Sequence, residues 1–353
     1  MVLQLKTPED LKDLYIGIAI VRYALNIAIL VINGGILLAF LIQRWRHQRP
    51  KRRLHPAGCF VINLLIADTL VGAVLTNSLR YKIWPENAVA LAKKHYACVL
   101  RFAVAFLAVC GSHNALLSVV IDRYVAVVHT MRYRDWMSRR TCVLMVTASW
   151  ILPVTGMMYL LFFGHWKPGL PICSENTVIG DFSLYVWLPI QVALLLSILV
   201  IQFCVHFELR RYGKTKSFGS SVLHRSTHKS AKTMLISTLA FAFFYAPYDA
   251  TALVFVFFPS ALTKLLYDLS AIGTALTFLV NPCLYSIKTE SVRRPVSELF
   301  SDIRGALSRL KTRGCFDQPA TEGPTAENGS SRFDSNRNAS IITLNTSLGV
   351  SGV

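Results

Sequence analysis

The chain reads as an all-α membrane protein: a bundle of seven spanning helices, then a short amphipathic interfacial helix and a disordered tail. Three observations predict this. Of its 353 residues 53% are hydrophobic and only 16% charged, with a mean hydropathy of +0.45, whereas soluble domains are about half apolar and a quarter charged. Apolar runs of about 20 residues, enough to cross a bilayer core of about 30 Å, recur along the chain. The charge is also distributed unevenly between alternate linkers.

The spans fall at 14–43, 57–79, 96–128, 142–163, 181–207, 232–258 and 262–287. Only helices or closed barrels satisfy every backbone polar group in lipid, and runs of this length are helical. The resulting organisation is a short outer N-terminus (1–13), the membrane domain (14–287), an amphipathic surface helix (288–314) and a cytoplasmic tail (315–353). In the fourth segment Ser, Thr, Asn and Gly dominate and large apolar residues are few, a composition that does not fold alone. Residues 1–13 lack the apolar core of a cleavable signal peptide, so the first span is expected to act as an uncleaved anchor.

Linker charge sets the orientation. The stretch Arg44-Trp45-Arg46-His47-Gln48-Arg49-Pro50-Lys51-Arg52-Arg53 follows the first span. Arg132, Arg134, Arg139 and Arg140 follow the third, and Arg210, Arg211, Lys214 and Lys216 the fifth. Alternate loops carry Glu86, Glu175 and Asp268 instead. Basic loops stay in the cytoplasm, which puts the N-terminus outside and the C-terminus inside. The net charge of +18 is then met by anionic lipid headgroups, and no nucleic-acid partner is needed.

Eight cysteines are scattered along the chain, and Cys98 and Cys173 are the two whose positions both face the oxidising exterior, so a disulfide is expected between them. The others read as small apolar packing residues. No nucleophile–base pair, metal-ligand cluster or phosphate loop is visible, so the chain is not read as an enzyme. A transporter would show inverted repeats and broken helices with paired charges, and neither is seen.

Each span carries an unusual polar or helix-perturbing group: Asn33, Asp68, Asp122-Arg123-Tyr124, Trp150, Pro189, Pro247 and Asn281-Pro282-Cys283-Leu284-Tyr285. Intramembrane acids and bases are costly and mark function, while the span-six and span-seven prolines kink helices and free carbonyls. In order and spacing the set resembles the rhodopsin-like (class A) G-protein-coupled receptors, from about residue 14 to residue 310. That resemblance implies a ligand site inside the bundle and a heterotrimeric G-protein partner. Arg123 would dock the G protein when span six swings outward, Pro247 and Pro282 would act as pivots, and Tyr285 would swing inward.

The resemblance further implies a sodium ion at Asp68, helped by Ser112 and Asn281; a polar network without an ion also fits, since Phe278 removes a usual hydroxyl neighbour. No other cofactor or metal is expected. Several positions depart from the family. Tyr245, two residues before Pro247 in the stretch Phe241-Ala242-Phe243-Phe244-Tyr245-Ala246-Pro247, replaces the usual tryptophan of the span-six toggle. His113 replaces a branched aliphatic residue and reads more readily as a hydrogen-bonded core histidine than as a proton sensor. Ser197 replaces a span-five tyrosine. Thr227 and His228 stand where some members lock Arg123 with an acid, so measurable basal signalling is expected.

Ligand class is read from the pocket positions. Ala105 stands where amine receptors carry an aspartate, and Ala275 where visual pigments carry the retinal lysine, which argues against both. Arg101 is placed to hold a phosphate, carboxylate or amide head, or else to snorkel or to bridge to Glu175 or Asp181. Arg101, Phe102, Ala105, Phe106, Asp181, Tyr245 and Tyr248 are the candidate pocket residues, and Trp187, Phe241, Phe244 and Leu253 further apolar walls. Arg22 either faces the pocket or snorkels outward. Asn63 to Gly72, Cys98-Val99-Leu100-Arg101, and Asp122 to Ala126 with Arg132-Tyr133 and Met137-Ser138 resemble the lipid-amide (glucose-dependent insulinotropic) receptors. That likeness implies a small lipophilic ligand such as an acyl-ethanolamide or lysolipid, with cyclic-AMP signalling. The alternatives are a constitutively active orphan receptor and a receptor for a peptide or other small molecule.

Beyond span seven, Val292, Val296, Leu299, Ile303, Leu307 and Leu310 recur at helical spacing among arginines, as in a helix lying on membrane lipid. Cys315 reads as a palmitoylation site or a plain thiol. Ser330, Ser331, Ser335, Ser340, Thr343 and Thr346 are candidate targets of receptor kinases for arrestin, or part of a solubilising tail. Ser351-Gly352-Val353 fits a PDZ domain. Three glycosylation patterns in this tail are expected to go unused, because topology places them in the cytoplasm.

Overall fold

All seven apolar runs are helical in the computed structural model, which describes residues 8–46, 56–84, 86, 95–164, 182–215 and 222–288 and scattered positions between 293 and 308. The helices are α1 (Pro8–Arg46), α2 (Pro56–Ile83), α3 (His95–Val128), α4 (Arg139–Phe163), α5 (Leu188–Thr215), α6 (Val222–Phe257) and α7 (Ala261–Lys288). No strand occurs among the described residues. Six of the helices are long and apolar enough to cross a bilayer, and α6 carries a shorter apolar stretch, Phe241–Phe257. Cys173, Asp181, Cys315 and the tail beyond it lie outside the described residues. So do the side chains of Tyr285, Thr227 and His228.

The helices overrun their apolar cores, and local chemistry explains where they stop. Pro8 opens α1, where its missing N–H costs nothing. Ser138 caps α4, its hydroxyl accepting the Thr141 N–H at 3.3 Å. Before α5 the chain makes one π turn, Ser183–Trp187. Pro189, two residues past its end, has no N–H to donate to the carbonyl four residues back, and the ladder widens there.

Helix α3 is the central column, packing against α2, α4, α5 and α6, while α1 packs on α2 and α7, and α6 on α5 and α7. Large side chains such as Val31, Leu144, Phe162, Val200 and Phe243 point outward, as a lipid-facing surface requires. With no hydrophobic drive between helices in lipid, close approach and polar bridges hold them together. A Cβ on Gly72 would come within 2.6 Å of the Leu30 backbone nitrogen, so only glycine lets α2 lie this close to α1. The Trp150 indole N–H donates to Asn63 Oδ1 at 2.9 Å, tying α4 to α2. Asn33 donates to the Phe278 carbonyl at 3.2 Å, tying α1 to α7.

The chain divides into Met1–Arg304 and Gly305–Val353. Within the first unit, residues after α7 are fastened to the end of α1. Gln43 donates to Glu298 at 2.8 Å and Arg46 pairs with Asp302. Val296 packs against the core.

Candidate functional site

The polar residues singled out in the spans form a column through the bundle, from the Arg123 side to the Cys98 side. At the foot of α3, Asp122 is almost wholly buried and Arg123 lies beside it, Nη2 to Oδ2 at 3.1 Å. The other carboxylate oxygen of Asp122 accepts the Tyr133 hydroxyl at 2.8 Å. Tyr133 reaches it because the chain reverses through residues 129–132, where the Arg132 N–H bonds to the His129 carbonyl at 2.9 Å. A single helical turn, Tyr133–Trp136, then brings the ring back over α3. Burial, and next the Asp122 charge, push the Tyr133 hydroxyl well above the usual tyrosine range, so it stays protonated and keeps donating. Tyr124 is half-buried, edge-on to His129 at 5.9 Å.

In the middle, the Ser112 hydroxyl donates to Asp68 Oδ1, and Asp68 Oδ2 has no hydrogen-bond partner among the described residues. Asn281 on α7 and Asn33 on α1 are also buried. An orphaned carboxylate oxygen inside a bundle is what a cation site presents before the ion is counted.

Next to Ser112, His113 faces α5, α6 and α7 together. Its Nδ1 donates to Gln191 Oε1 at 2.9 Å, so the proton sits on Nδ1. The ring lies edge-on to Tyr245 at 4.5 Å and to Phe241 at 5.4 Å, and parallel to Phe278 at 6.2 Å. A polar contact thus occupies the α3–α5 junction, against the aromatic rings of α6.

Tyr245 is the floor of a cavity of about 180 Å³ that opens toward the Cys98 side. Arg101, Phe102, Ala105 and Phe106 of α3 line it, with Tyr248 of α6 above the floor. Trp187 and Phe182 close the α5 side, Phe106 lying 4.7 Å from Trp187 and 5.2 Å from Phe182 between ring centres. The Arg101 guanidinium stacks 4.6 Å above Phe102. Arg22 also lines the cavity and pairs with Asp268 of α7 at 3.3 Å. Tyr248 and Tyr267 share a hydroxyl contact of 2.8 Å, and Thr251 and Ser270 one of 2.7 Å, which close the α6–α7 seam.

Three residues read as pocket wall do not line it. Phe241 sits below Tyr245, stacked under it at 4.9 Å in the core. Phe244 turns to α7, where a Cβ on Gly273 would touch it at 3.3 Å, and Leu253 is exposed on the outer face. All three lie on α6, where the helix rotation and depth that separate wall from core and lipid are not written in the residue type.

Residues 34–285 match the family model described as 7 transmembrane receptor (rhodopsin family). The chain belongs to this family. It is a G-protein-coupled receptor of seven membrane-spanning helices, and not an enzyme. Similar proteins include human melanopsin, 25% identical over 304 residues, 78% of the receptor and 62% of melanopsin. Human olfactory receptor 2AG1 is 25% identical over 75% of the receptor and 83% of its own length. Mouse neuromedin-U receptor 2 is 25% identical over 90% and 81%. The receptor therefore spans less than two thirds of melanopsin's length but most of the other two.

Reading by sequence missed Gln191, Tyr267 and Asp249 and gave Tyr133 no contact; it placed Asp268 in a loop, whereas Asp268 is buried on α7 against Arg22. Asp249 and Asp268 carried a usable signal, since each is an acid within an apolar run. Gln191 and Tyr133 are ordinary in sequence and gain meaning only from their partners.

Proposed function

We propose that the receptor sits in the plasma membrane with its N-terminus outside and its C-terminus in the cytoplasm, and catalyses nucleotide exchange on a heterotrimeric G protein when a lipid or lipid-amide ligand occupies the cavity. The ligand reading is carried by Arg101, a guanidinium set in a wall of Phe102, Phe106, Trp187 and Tyr248. An arginine fork suits the oxygens of an amide, carboxylate or phosphate head, and the aromatic wall suits an acyl chain. At about 180 Å³ the cavity is smaller than the roughly 300–1,000 Å³ of drug-sized sites. An extended ligand therefore fits in part, or spreads the helices as it enters.

The signal runs down the column. A ligand pressing on Tyr245 moves a ring packed against His113 and Phe241, and α6 pivots at Pro247. Arg123 then exchanges Asp122 for the G protein. Asp68, with Ser112 and Asn281, would hold a sodium ion that favours the resting arrangement, its charge answering the orphaned carboxylate oxygen. A Cys98–Cys173 disulfide would fix the mouth of the cavity; Cys98 is buried. Arrestin and receptor kinases acting at the tail belong to the same reading.

The test is cyclic AMP in cells expressing the receptor, with and without acyl-ethanolamides and lysophospholipids, beside Arg101→Ala and Arg123→Ala. A ligand-dependent rise lost in both variants supports the proposal. A ligand-independent rise lost only in Arg123→Ala replaces it with a constitutive receptor. Silence across cyclic AMP and calcium readouts refutes the lipid ligand.

A further inference from the structure

The segment beyond α7 is tied to the Arg46 end of α1 through two acids, Glu298 and Asp302. Glu298 accepts the Gln43 amide on Oε2 at 2.8 Å and Arg294 Nε on Oε1 at 3.3 Å. Arg46 pairs with Asp302, and both of these side chains are exposed. Polar ties in contact with water are weak singly, so the segment peels from α1 at low cost.

Three of its serines, Ser297, Ser301 and Ser308, are exposed. Each hydroxyl donates to the carbonyl three residues before it, at 2.9, 2.8 and 3.0 Å. The residue at that earlier position differs: Arg294 before Ser297, Glu298 before Ser301 and Gly305 before Ser308. Ser297 also has Arg293 next to Arg294, and both arginines are exposed. A guanidinium three residues before a hydroxyl is the charge pattern that a kinase with an acidic substrate groove selects. Val296 packs against the core, while Ser297 is left on the outer face beside Glu298.

We propose that Ser297 is a phosphorylation site for an arginine-directed protein kinase using ATP, and that its phosphate and the ties to α1 oppose each other. The site is separate from the serines and threonines of the tail. In the transfer, Ser297 Oγ bonds to the γ-phosphorus of ATP and the bond from that phosphorus to the bridging oxygen of ADP breaks. The hydroxyl proton passes to the kinase's catalytic base. A hydroxyl bonded to its own helical turn enters a kinase cleft after that turn opens, and the ties to α1 resist the opening. Once in place the phosphate carries a charge of about −1.5 to −2. It draws Arg294, one helical turn back, away from Glu298 and repels the carboxylate that holds Gln43. It is also repelled by anionic lipid, so the segment stays released. The proposal rests on the segment lying on the cytoplasmic side.

The experiment uses the full-length receptor in lipid nanodiscs with ATP and a purified calcium/calmodulin-dependent protein kinase, which selects an arginine three residues before the serine. Mass spectrometry locates the phosphate and follows its rate of appearance. Phosphate is expected at Ser297, absent in Ser297→Ala, and about tenfold slower to appear in Arg294→Ala, which keeps the hydroxyl and removes the selected charge. With Gln43→Leu and Arg46→Ala together the rate at Ser297 is expected to rise about five-fold. Neither change touches the serine, so a hydroxyl that is merely exposed would show no rise. Arg46→Ala alone carries this arm if the double variant does not fold. No phosphate at Ser297, or an equal rate with and without the ties, overturns the proposal. Antibody against a tag at the C-terminus is applied to intact and to permeabilised cells. Staining that needs permeabilisation supports the cytoplasmic placement; staining of intact cells overturns that placement, and the site with it, whatever the nanodiscs show.

Discussion

Replacing Tyr133 by Phe removes one hydroxyl from the foot of α3 and nothing else. The hydroxyl donates to Asp122 Oδ1 at 2.8 Å while Asp122 Oδ2 faces Arg123 at 3.1 Å, so it stabilises the carboxylate that keeps Arg123 against its own helix. A hydrogen bond to a charged group contributes about 1.5–3 kcal/mol. Asp122 and Arg123 keep further contacts, and Tyr133 is only half-buried, so the lower end applies. About 1.5 kcal/mol is roughly a tenfold change in an equilibrium. If the bond exists only at rest, an active state populated at about 1% rises to about 10%. The assay is ligand-independent second-messenger output per receptor at the cell surface across a range of expression levels. Tyr133→Phe should steepen the slope several-fold, and adding Arg123→Ala should abolish the gain. A slope equal to that of wild type would show that Tyr133 does not restrain Arg123. The hydroxyl's folded-state value is raised, so its contribution is complete below the unfolded value of 10.0 and is lost only at still higher pH. Basal output should therefore not vary through this group across cytoplasmic pH.

The remaining predictions concern the column and the packing. His113→Leu leaves Gln191 Oε1 without its donor in the core, a loss of about 1–3 kcal/mol; the double variant with Gln191→Leu should recover part of it in thermal melting, and strict additivity would argue against a shared bond. Asp68→Asn should abolish any difference in melting temperature between sodium and choline chloride, and a difference that persists would place the ion elsewhere. Gly72→Ala forces a methyl into the Leu30 backbone and should cost about 1–3 kcal/mol in stability; an unchanged melting temperature would mean α1 and α2 are not this close.

What could be read in the sequence divides by distance. The spans were legible because apolar runs and prolines are local, and the polar markers of α2, α3 and α7 because an acid, a base or an Asn-Pro step in lipid is rare anywhere. Arg101 and Arg22 announced themselves in the same way. The ion pair of Arg22 with Asp268 did not, since its halves lie 246 residues apart. His113 was conspicuous, but its partner was not: Gln191 lies 78 residues away, on a helix whose rotation is not written in its residue types. Tyr133 meets Asp122 only because the chain reverses at residues 129–132, which residue type does not announce. Phe241 and Tyr245, one turn apart on α6, both read as facing the pocket, yet Tyr245 lines the cavity and Phe241 packs in the core against it.

The most direct measurement is nucleotide exchange on purified heterotrimeric G proteins by the full-length receptor in lipid nanodiscs, beside Arg123→Ala. The account predicts that at least one G-protein class exchanges faster with the receptor present, faster still with Tyr133→Phe, and at the uncatalysed rate with Arg123→Ala. Exchange accelerated equally by wild type and Arg123→Ala, or accelerated for no G-protein class by either wild type or Tyr133→Phe, would contradict it.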